Sequence, residues 1–270
     1  MTNNASVSVV IPCFNSATTI ERALRSVEHQ TTKPNEVLVV DDASSDNTVS
    51  IIEQYTHTSS LNIRIINQRV NGGPSVARNT AWNVATSEFI AFLDADDQWH
   101  PQKLELQLNA MLANPACVMS FHDHVFGSSE QFDSLPFAPI TSQATLRSYL
   151  LRNRSATPTV MLRASVTERF SNTKRYAEDY LLWMTIIANH GNALHIHATL
   201  AHCSNPGYGG SGQSGKLWNM ERSELSGFAS LWRTGVLSLS TVAVVSVWSI
   251  TKYLLRLFDT FLIPIRRRRL

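Results

Sequence analysis

The sequence predicts an α/β fold in which a mainly parallel sheet is covered by helices on both faces. Over the first hundred residues, apolar runs rich in β-branched residues alternate with segments that repeat apolar residues at helical spacing. Three of the four apolar runs also end in polar or acidic residues. Open α/β sheets bind their ligands at the edge where parallel strands end, so this pattern fits an enzyme of that class.

The elements follow one another in a regular order. Four strands are predicted, at residues 7–11, 36–40, 62–66 and 89–93. A helix with a buried apolar stripe is predicted after each strand. The first three lie at Ile20 to Val27, Val49 to Tyr55 and Ser75 to Thr86. The fourth is expected to start at Pro101 and to bury Leu104, Leu108, Met111 and Leu112. Further strands are predicted at 116–121 and 198–201, a loop at 127–145, and an amphipathic helix from Leu217 to Trp232.

Composition sets limits on function. The chain has 270 residues, of which 43% are hydrophobic and 16% are charged, as in a folded enzyme-sized protein. A formal net charge of +2 implies no general polyanion-binding surface. The three cysteines fit no CxxC spacing and are expected to be free thiols of a reducing compartment. The absence of a GxGxxG motif after the first strand argues against a dinucleotide-binding site of the Rossmann type. The absence of a GxxxxGK[ST] motif excludes a P-loop NTPase.

An acidic cluster follows the fourth apolar run. Asp94, Asp96 and Asp97 lie within four residues, directly after Phe89–Leu93. Carboxylates this close repel one another unless a cation lies among them, so the cluster predicts a divalent-metal site at the sheet edge. The alternative is a solvated acidic turn that caps the next helix.

Five sequence blocks in order resemble one family. The blocks are VSVVIPCFN, VLVVDDASSDNT, NGGPSVARNTAW, FIAFLDADDQWHPQKLE and RYAEDYLLWM. They resemble the family 2 glycosyltransferases of GT-A fold, over about residues 6 to 205. The resemblance implies inverting transfer of a sugar from a nucleotide-diphosphate sugar, a UDP- or dTDP-sugar, with Mg²⁺ or Mn²⁺ on the diphosphate. The implied acceptor is a saccharide or lipid-linked saccharide in bacterial surface polysaccharide assembly.

The resemblance also implies roles for the donor-side residues. Asp41 matches the carboxylate that accepts from the ring N–H of the base, and Pro12 lies beneath that base. Arg78 matches an arginine that contacts base or phosphate. Simpler explanations remain for each residue: Asp41 could cap a turn, as could Asp42, and Arg78 could be an ordinary helix arginine paired with nearby acids.

Metal and acceptor roles follow in the same way. Asp94 matches the carboxylate facing ribose and metal-bound water, and Asp96 matches the direct metal ligand. Asp179, in the pair Glu178-Asp179, matches the general base that takes the proton of the acceptor hydroxyl. The pair could also simply open a helix, since acids favour helix N-termini. Asp97 is expected to point toward the acceptor side or the following helix.

Several residues keep two interpretations. Trp99 could line the acceptor site or pack beneath the next helix. His122, Asp123 and His124 could bind a metal, but a structural role is favoured. His202 is a candidate for a contact to metal or diphosphate. The glycine-rich segment 205–215 could be a lid or a linker.

The chain is expected to divide at residue 215. Residues 1–215 form the catalytic domain, with 1–100 as the nucleotide-sugar half and 101–215 as the acceptor half. Residues 236–270 predict a helix in the membrane interface, ending in four arginines that favour anionic lipid. A terminal helix packed on the domain and an oligomer contact are the alternatives. With no basic and apolar leader at the N-terminus, a cytoplasmic location on the inner face of the membrane is expected.

Three rival functions fit the same residues less well. A polyprenyl-phosphate glycosyltransferase would usually show clear spanning helices, whereas residues 234–251 carry seven Ser or Thr among uncharged residues. A haloacid-dehalogenase-type phosphatase would place D-x-D after the first strand rather than the fourth. A non-catalytic nucleotide-sugar-binding protein is disfavoured because Asp94, Asp96 and Asp179 are present together.

Overall fold

One mixed sheet organises the protein. The computed structural model describes residues 5–127, 132, 139–174, 176–204 and 216–267. Within these residues the strands are β1 (Val7–Cys13), β2 (Glu36–Asp41), β3 (Ile63–Asn67), β4 (Phe89–Phe92), β5 (Gln98–Trp99), β6 (Met119–Phe126), β7 (Thr141–Ala144), β8 (Met161–Arg163) and β9 (Ala193–Cys203).

The strand order confirms the predicted α/β class. The strands lie in the order β3-β2-β1-β4-β8-β6-β9-β5, and β7 pairs with β9. The first four strands of the chain are parallel to one another, as predicted. Strand β8 runs antiparallel between β4 and β6, and β6 is parallel to β9. The sheet therefore continues unbroken from the expected nucleotide-sugar half into the expected acceptor half.

Helices cover both faces of the sheet. They are α1 (Ile20–Glu28), α2 (Thr48–Thr58), α3 (Pro74–Val84), α4 (Lys103–Ala113), α5 (Leu146–Leu151), α6 (Glu178–His190), α7 (Leu217–Arg233) and α8 (Leu239–Arg267), with a 3₁₀ turn at Thr157–Thr159. The expectation that Pro101 starts a helix was wrong. Helix α4 begins at Lys103, because Gln102 accepts the first helical hydrogen bond and the carbonyl of Pro101 instead accepts from the backbone N–H of Thr31.

The alternation of side chains along the central strands builds two cores. Val10, Leu38 and Val40 face helices α3, α5, α6 and α7 in one core. Val9 and Ile11 face helices α1, α2 and α4 in the other. Successive residues of a strand point to opposite faces, so strands buried on both sides must be apolar throughout. The central strands are therefore the part of the fold that the sequence predicts most directly.

The inward side of helix α8 carries both apolar and polar residues, since Val245 and Ser249 are both buried. Ser249, which is 1% exposed, donates a hydrogen bond to Glu224 of α7 at 2.9 Å. Lys252 lies 3.4 Å from the same carboxylate. Val244, Val247 and Leu254 face outward and are 58–69% exposed. By length and composition, Leu239–Phe258 is a helix that could cross a membrane, with mean hydropathy 1.3 and 11% of the segment buried.

Candidate active site

The predicted donor residues meet at one edge of the sheet. Asp41 ends β2 and pairs with Cys13 at the end of β1, so Pro12 lies beside it in the neighbouring strand. Strand β4, which pairs with β1, ends at Phe92, and Asp94 follows two residues later. The carboxyl ends of three adjacent parallel strands thus gather Pro12, Asp41 and the acidic cluster.

A buried arginine joins the two acidic motifs. The guanidinium of Arg78, on α3, lies 2.6 Å from a carboxylate oxygen of Asp94 and 3.6 Å from one of Glu178. The side chains of Arg78 and Glu178 are only 7% and 8% exposed, whereas that of Asp94 is 27% exposed. A buried charge is stable only when it is paired. Arg78 therefore positions Asp94 and Glu178, which is a more specific placement than the base or phosphate contact expected from sequence.

The other two carboxyl groups of the acidic cluster have raised pKa values. Burial and the charge of Asp94 raise the pKa of Asp96, which is half-buried. Asp97 is buried, and burial together with Asp94 and Asp96 raises its pKa well above the ordinary range. The carboxylate of Asp97 accepts from the backbone N–H of Ser204 at 2.8 Å, so it holds the end of β9 rather than capping the following helix.

Asp41 and Asp42 have different partners. Asp41 accepts from the backbone N–H of Ser44 at 3.0 Å, as a turn residue would. Asp42, whose role was left open from sequence, accepts from the N–H groups of Gly72 and Gly73 at 2.8 and 2.7 Å. A Cβ at Gly72 would lie 2.9 Å from the side chain of Val76, and Gly73 has φ of +86°. The glycine pair therefore serves the segment that leads into α3.

The expected base lies at a helix start. Asp179 is in the first turn of α6, half-buried, and burial raises its pKa. Its Oδ2 accepts a hydrogen bond from Thr157 at 3.3 Å. Burial and the neighbouring charge of Asp179 raise the pKa of Glu178 to about 7. Sequence reasoning missed Thr157, because a threonine in a short 3₁₀ turn carries no motif.

Backbone strain accumulates in the same loops. Asn15, Ala43 and Ala177 have positive φ values of 48°, 62° and 50°. They follow β1, follow β2 and precede α6. A non-glycine residue in this region costs about 1–2 kcal/mol, and such strain persists where the surrounding contacts fix the backbone.

Two other candidates have contacts of their own. Trp99 is 1% exposed and donates its indole N–H to the carbonyl of Pro158 at 2.8 Å, so it packs in the core. His202 is buried on β9, paired with Gln98 of β5 and in ring contact with Phe132. Its contact to metal or diphosphate stays a prediction. The glycine-rich segment 205–215 lies outside the described residues.

Curated relatives share most of this chain. The chain is 34% identical over 182 residues to an Escherichia coli UDP-Glc:alpha-D-GlcNAc-diphosphoundecaprenol beta-1,3-glucosyltransferase, WfgD, covering 67% of this chain and 69% of that protein. It is 30% identical over 196 residues to the putative teichuronic acid biosynthesis glycosyltransferase TuaG of Bacillus subtilis, covering 72% and 77%.

Solved structures share the fold. S. aureus TarS 1-349 superposes with a TM-score of 0.67 at 21% identity, covering 91% of this chain and 70% of that chain. The mannosyltransferase PcManGT of Pyrobaculum calidifontis, solved with GDP-Man and Mn²⁺, gives a TM-score of 0.63 at 20% identity, covering 86% and 65%.

A family model extends the match across the sheet. The model described as Glycosyl transferase family 2 matches residues 8–170, from β1 through β8. That span holds Asp41, Arg78, Asp94 and Asp96, and the WfgD and TuaG matches support the same assignment over 67% and 72% of the chain. The resemblance predicted from the five sequence blocks is therefore confirmed, and this glycosyltransferase belongs to glycosyl transferase family 2.

Proposed function

We propose that the protein transfers a sugar, with inversion, from a UDP- or dTDP-sugar to a saccharide or lipid-linked saccharide during assembly of a surface polysaccharide. The observation that carries the proposal is the Arg78 bridge, which links the D-x-D carboxylate Asp94 to the Glu178-Asp179 pair. Donor and acceptor chemistry are thereby joined at one edge of the sheet. The printed name of WfgD supports a UDP-sugar donor and a lipid-diphosphate-linked acceptor.

The acidic cluster fits a divalent cation. Asp96 would hold Mg²⁺ or Mn²⁺, with Asp94 toward the ribose and the metal-bound water. Burial and the charge of Asp94 raise the pKa of Asp96, which supports a site where added positive charge would stabilise both carboxylates. Mg²⁺ is usually held by one or two carboxylates together with substrate phosphates, which suits a two-carboxylate motif. When bound, the cation would neutralise charge that develops on the leaving diphosphate.

Asp179 supplies the base. The acceptor hydroxyl attacks the anomeric carbon as the bond to the diphosphate breaks, and its proton passes to the Asp179 carboxylate. Attack from the face opposite the leaving group inverts the anomeric configuration. The hydrogen bond from Thr157 fixes one carboxylate oxygen, and Arg78 contributes nearby positive charge that favours the ionised form.

Pro12 and Asp41 are assigned to the base of the nucleotide. The two residues are neighbours across β1 and β2, and Asp41 is 3% exposed at the strand end. A carboxylate can accept from the ring N–H of a uracil or thymine while still accepting from Ser44. Arg78 acts on the donor through Asp94, which it holds in place.

The exposed apolar face of α8 supports contact with the membrane on its cytoplasmic side. A helix packed on a domain normally buries its large apolar residues, whereas α8 buries Val245 and Ser249 and leaves Val247 and Leu254 exposed. An interfacial helix has this arrangement when its apolar side enters the lipid. A membrane-bound position would bring the enzyme to a lipid-linked acceptor.

A donor panel tests the function. Purified protein with Mn²⁺ or Mg²⁺ is assayed for binding, hydrolysis and transfer with UDP-, dTDP- and GDP-sugars, using polyprenyl-diphosphate-linked saccharides and polyprenyl phosphate as acceptors. Asp96→Asn should abolish metal-dependent donor binding, whereas Asp179→Asn should keep binding and lose transfer. Glu53→Gln, an exposed carboxylate of α2, is the matched control. Donor binding that is unaffected by Asp96→Asn would refute the assignment, and transfer to polyprenyl phosphate alone would favour the rival acceptor.

A further inference from the structure

Two histidines and an aspartate form a second ligand cluster, separate from the D-x-D motif. Asp123, His195 and His197 each offer one ligand atom, and these atoms all lie within 4.8 Å of one another. A nitrogen of His195 is 2.8 Å from a carboxylate oxygen of Asp123. The ring centres of His195 and His197 are 4.0 Å apart, and Ser142 is 2.7 Å from His197.

An irregular strand pairing brings the three side chains together. His195 and His197 are two residues apart on β9, so a regular strand would place them on one face. Opposite them, His122 of β6 pairs with Ile196 but Asp123 pairs with Thr199. Two residues of β9 are therefore extra at this point, and His197 is one of them. Bulges commonly re-aim a side chain beside a functional site.

The ligand set differs in kind from the donor site. Two imidazoles and one carboxylate are a common zinc ligand set, with a fourth position for water or another oxygen ligand such as the Ser142 hydroxyl. The oxygen-only carboxylates of the D-x-D motif favour Mg²⁺ or Mn²⁺ instead.

We propose that Asp123, His195 and His197 bind Zn²⁺, which joins β6 to β9 on the acceptor side of the sheet. His195 stacks on Phe121 with ring centres 4.5 Å apart, and Phe121 contacts Tyr149 of α5 at 5.6 Å. The hydroxyl of Tyr180, the residue after Asp179, donates a hydrogen bond to the carbonyl of Tyr149, so this chain of contacts links the cluster to the helix that carries the base. The ion would fix strand geometry there, and it takes no part in the donor chemistry.

Zinc binding tests the proposal directly. Tag-free protein is stripped with a chelator, dialysed and titrated with Zn²⁺ by calorimetry, in an Asp96→Asn background that weakens the donor site. We expect one equivalent of Zn²⁺, a Zn²⁺-dependent rise in Tm, and visible Co²⁺ absorption typical of a nitrogen-containing tetrahedral site. His197→Gln should weaken binding by more than about tenfold. His57→Ala, an exposed histidine of α2, should leave it unchanged.

Two results would overturn the proposal. One is the absence of stoichiometric Zn²⁺ binding in the Asp96→Asn protein. The other is equal binding by the Asp96→Asn protein with and without His197→Gln, which would place the ion elsewhere. His197 is exposed, so its substitution should preserve the fold, and circular dichroism of the stripped proteins verifies this. Neither result would affect the donor assay, so the two proposals fail independently.

Discussion

Asp97 is the residue at which burial and like charge act most clearly in the same direction. It is 6% exposed, and burial and the nearby Asp94 and Asp96 all raise its pKa. A group whose pKa is raised on folding destabilises the native state once the pH exceeds its unfolded-state pKa. The contribution of Asp97 to the stability of the ion-free protein should therefore become less favourable as the pH rises from mildly acidic values to 8.

Asp97→Asn should stabilise the metal-free protein at pH 8 by about 1–2 kcal/mol, since one pKa unit corresponds to about 1.4 kcal/mol. The amide oxygen can still accept from Ser204. The gain should shrink as the pH falls and vanish below the unfolded-state pKa. Chemical denaturation at pH 8 and pH 5, with Glu53→Gln as control, measures it. A loss of stability at pH 8 would contradict this account.

Glu178 and Asp179 are adjacent carboxyl groups that ionise one after the other. Burial and the charge of Asp179 raise the pKa of Glu178 to about 7, and Asp179 must be ionised to act as a base. Because Asp179 is already charged when Glu178 titrates, ionisation of Glu178 near pH 7 places a second negative charge beside the base. The kcat profile should therefore change near pH 7, and Glu178→Gln should remove that change while leaving the acid limb of Asp179 in place. A pH profile that is the same in the variant and the wild type would contradict this account.

At the scale of elements, the start of α6 carries strain that a glycine would relieve. Ala177 has φ of +50° immediately before Glu178. Ala177→Gly should raise the free energy of unfolding by about 0.5–1 kcal/mol, because glycine adopts this conformation without the Cβ clash. Ala110→Gly, inside helix α4, is the matched control and should lower it instead. Denaturant titrations in which both variants are destabilised would contradict the strain argument.

The sequence predicted some elements far better than others, for a physical reason. Strands β1, β2 and β4 are buried on both faces, so each appears in the sequence as a continuous apolar run that can be recognised as a strand. Strand β7 reads Thr-Ser-Gln-Ala and is mostly exposed, and β8 has three residues. Such short strands are specified by pairing with distant partners, which no local pattern records. Residues 127–145 were therefore predicted as loop, although 141–144 form a strand.

The site shows the same division. Asp94, Asp96 and Asp179 were found because they belong to motifs. The contacts that hold the site, such as Asp42 to the Gly72 and Gly73 N–H groups, join segments about thirty residues apart. The side-chain cluster at Asp123 depends on a bulge in β9 that periodicity could not reveal.

At the scale of the whole molecule, one sheet spans both segments that were expected to carry the donor and acceptor functions. Arg78 comes from α3 in the first segment, and Glu178 comes from α6 in the second. The division into functional halves at 1–100 and 101–215 stays a prediction, and the described residues of both segments share the sheet and the Arg78 ion pairs. Movement of one half against the other would break the Arg78 contacts, so both halves are expected to act as one rigid unit.

The exposed apolar side of helix α8 is the proposed contact with the membrane. Val247, Leu254 and Phe258 are 66%, 58% and 63% exposed, on the side opposite Ser249 and Lys252. Replacing all three with Gln should reduce co-sedimentation with anionic phospholipid vesicles by more than about tenfold, because each buried apolar side chain contributes about 1.5–3 kcal/mol. Since all three are exposed, Tm should stay unchanged. Val70→Gln, at a 75% exposed position after β3, is the matched control.

Light scattering separates the membrane from a second copy as the occupant of this face. If the wild type is a dimer in solution and the triple variant is a monomer with undiminished vesicle binding, the exposed face is an oligomer contact and the membrane assignment is wrong. If the triple variant loses vesicle binding without a change in mass, the face contacts lipid. Residual binding that disappears at high salt would then be assigned to the arginines at 266–269, whose attraction to anionic lipid is screened by ions.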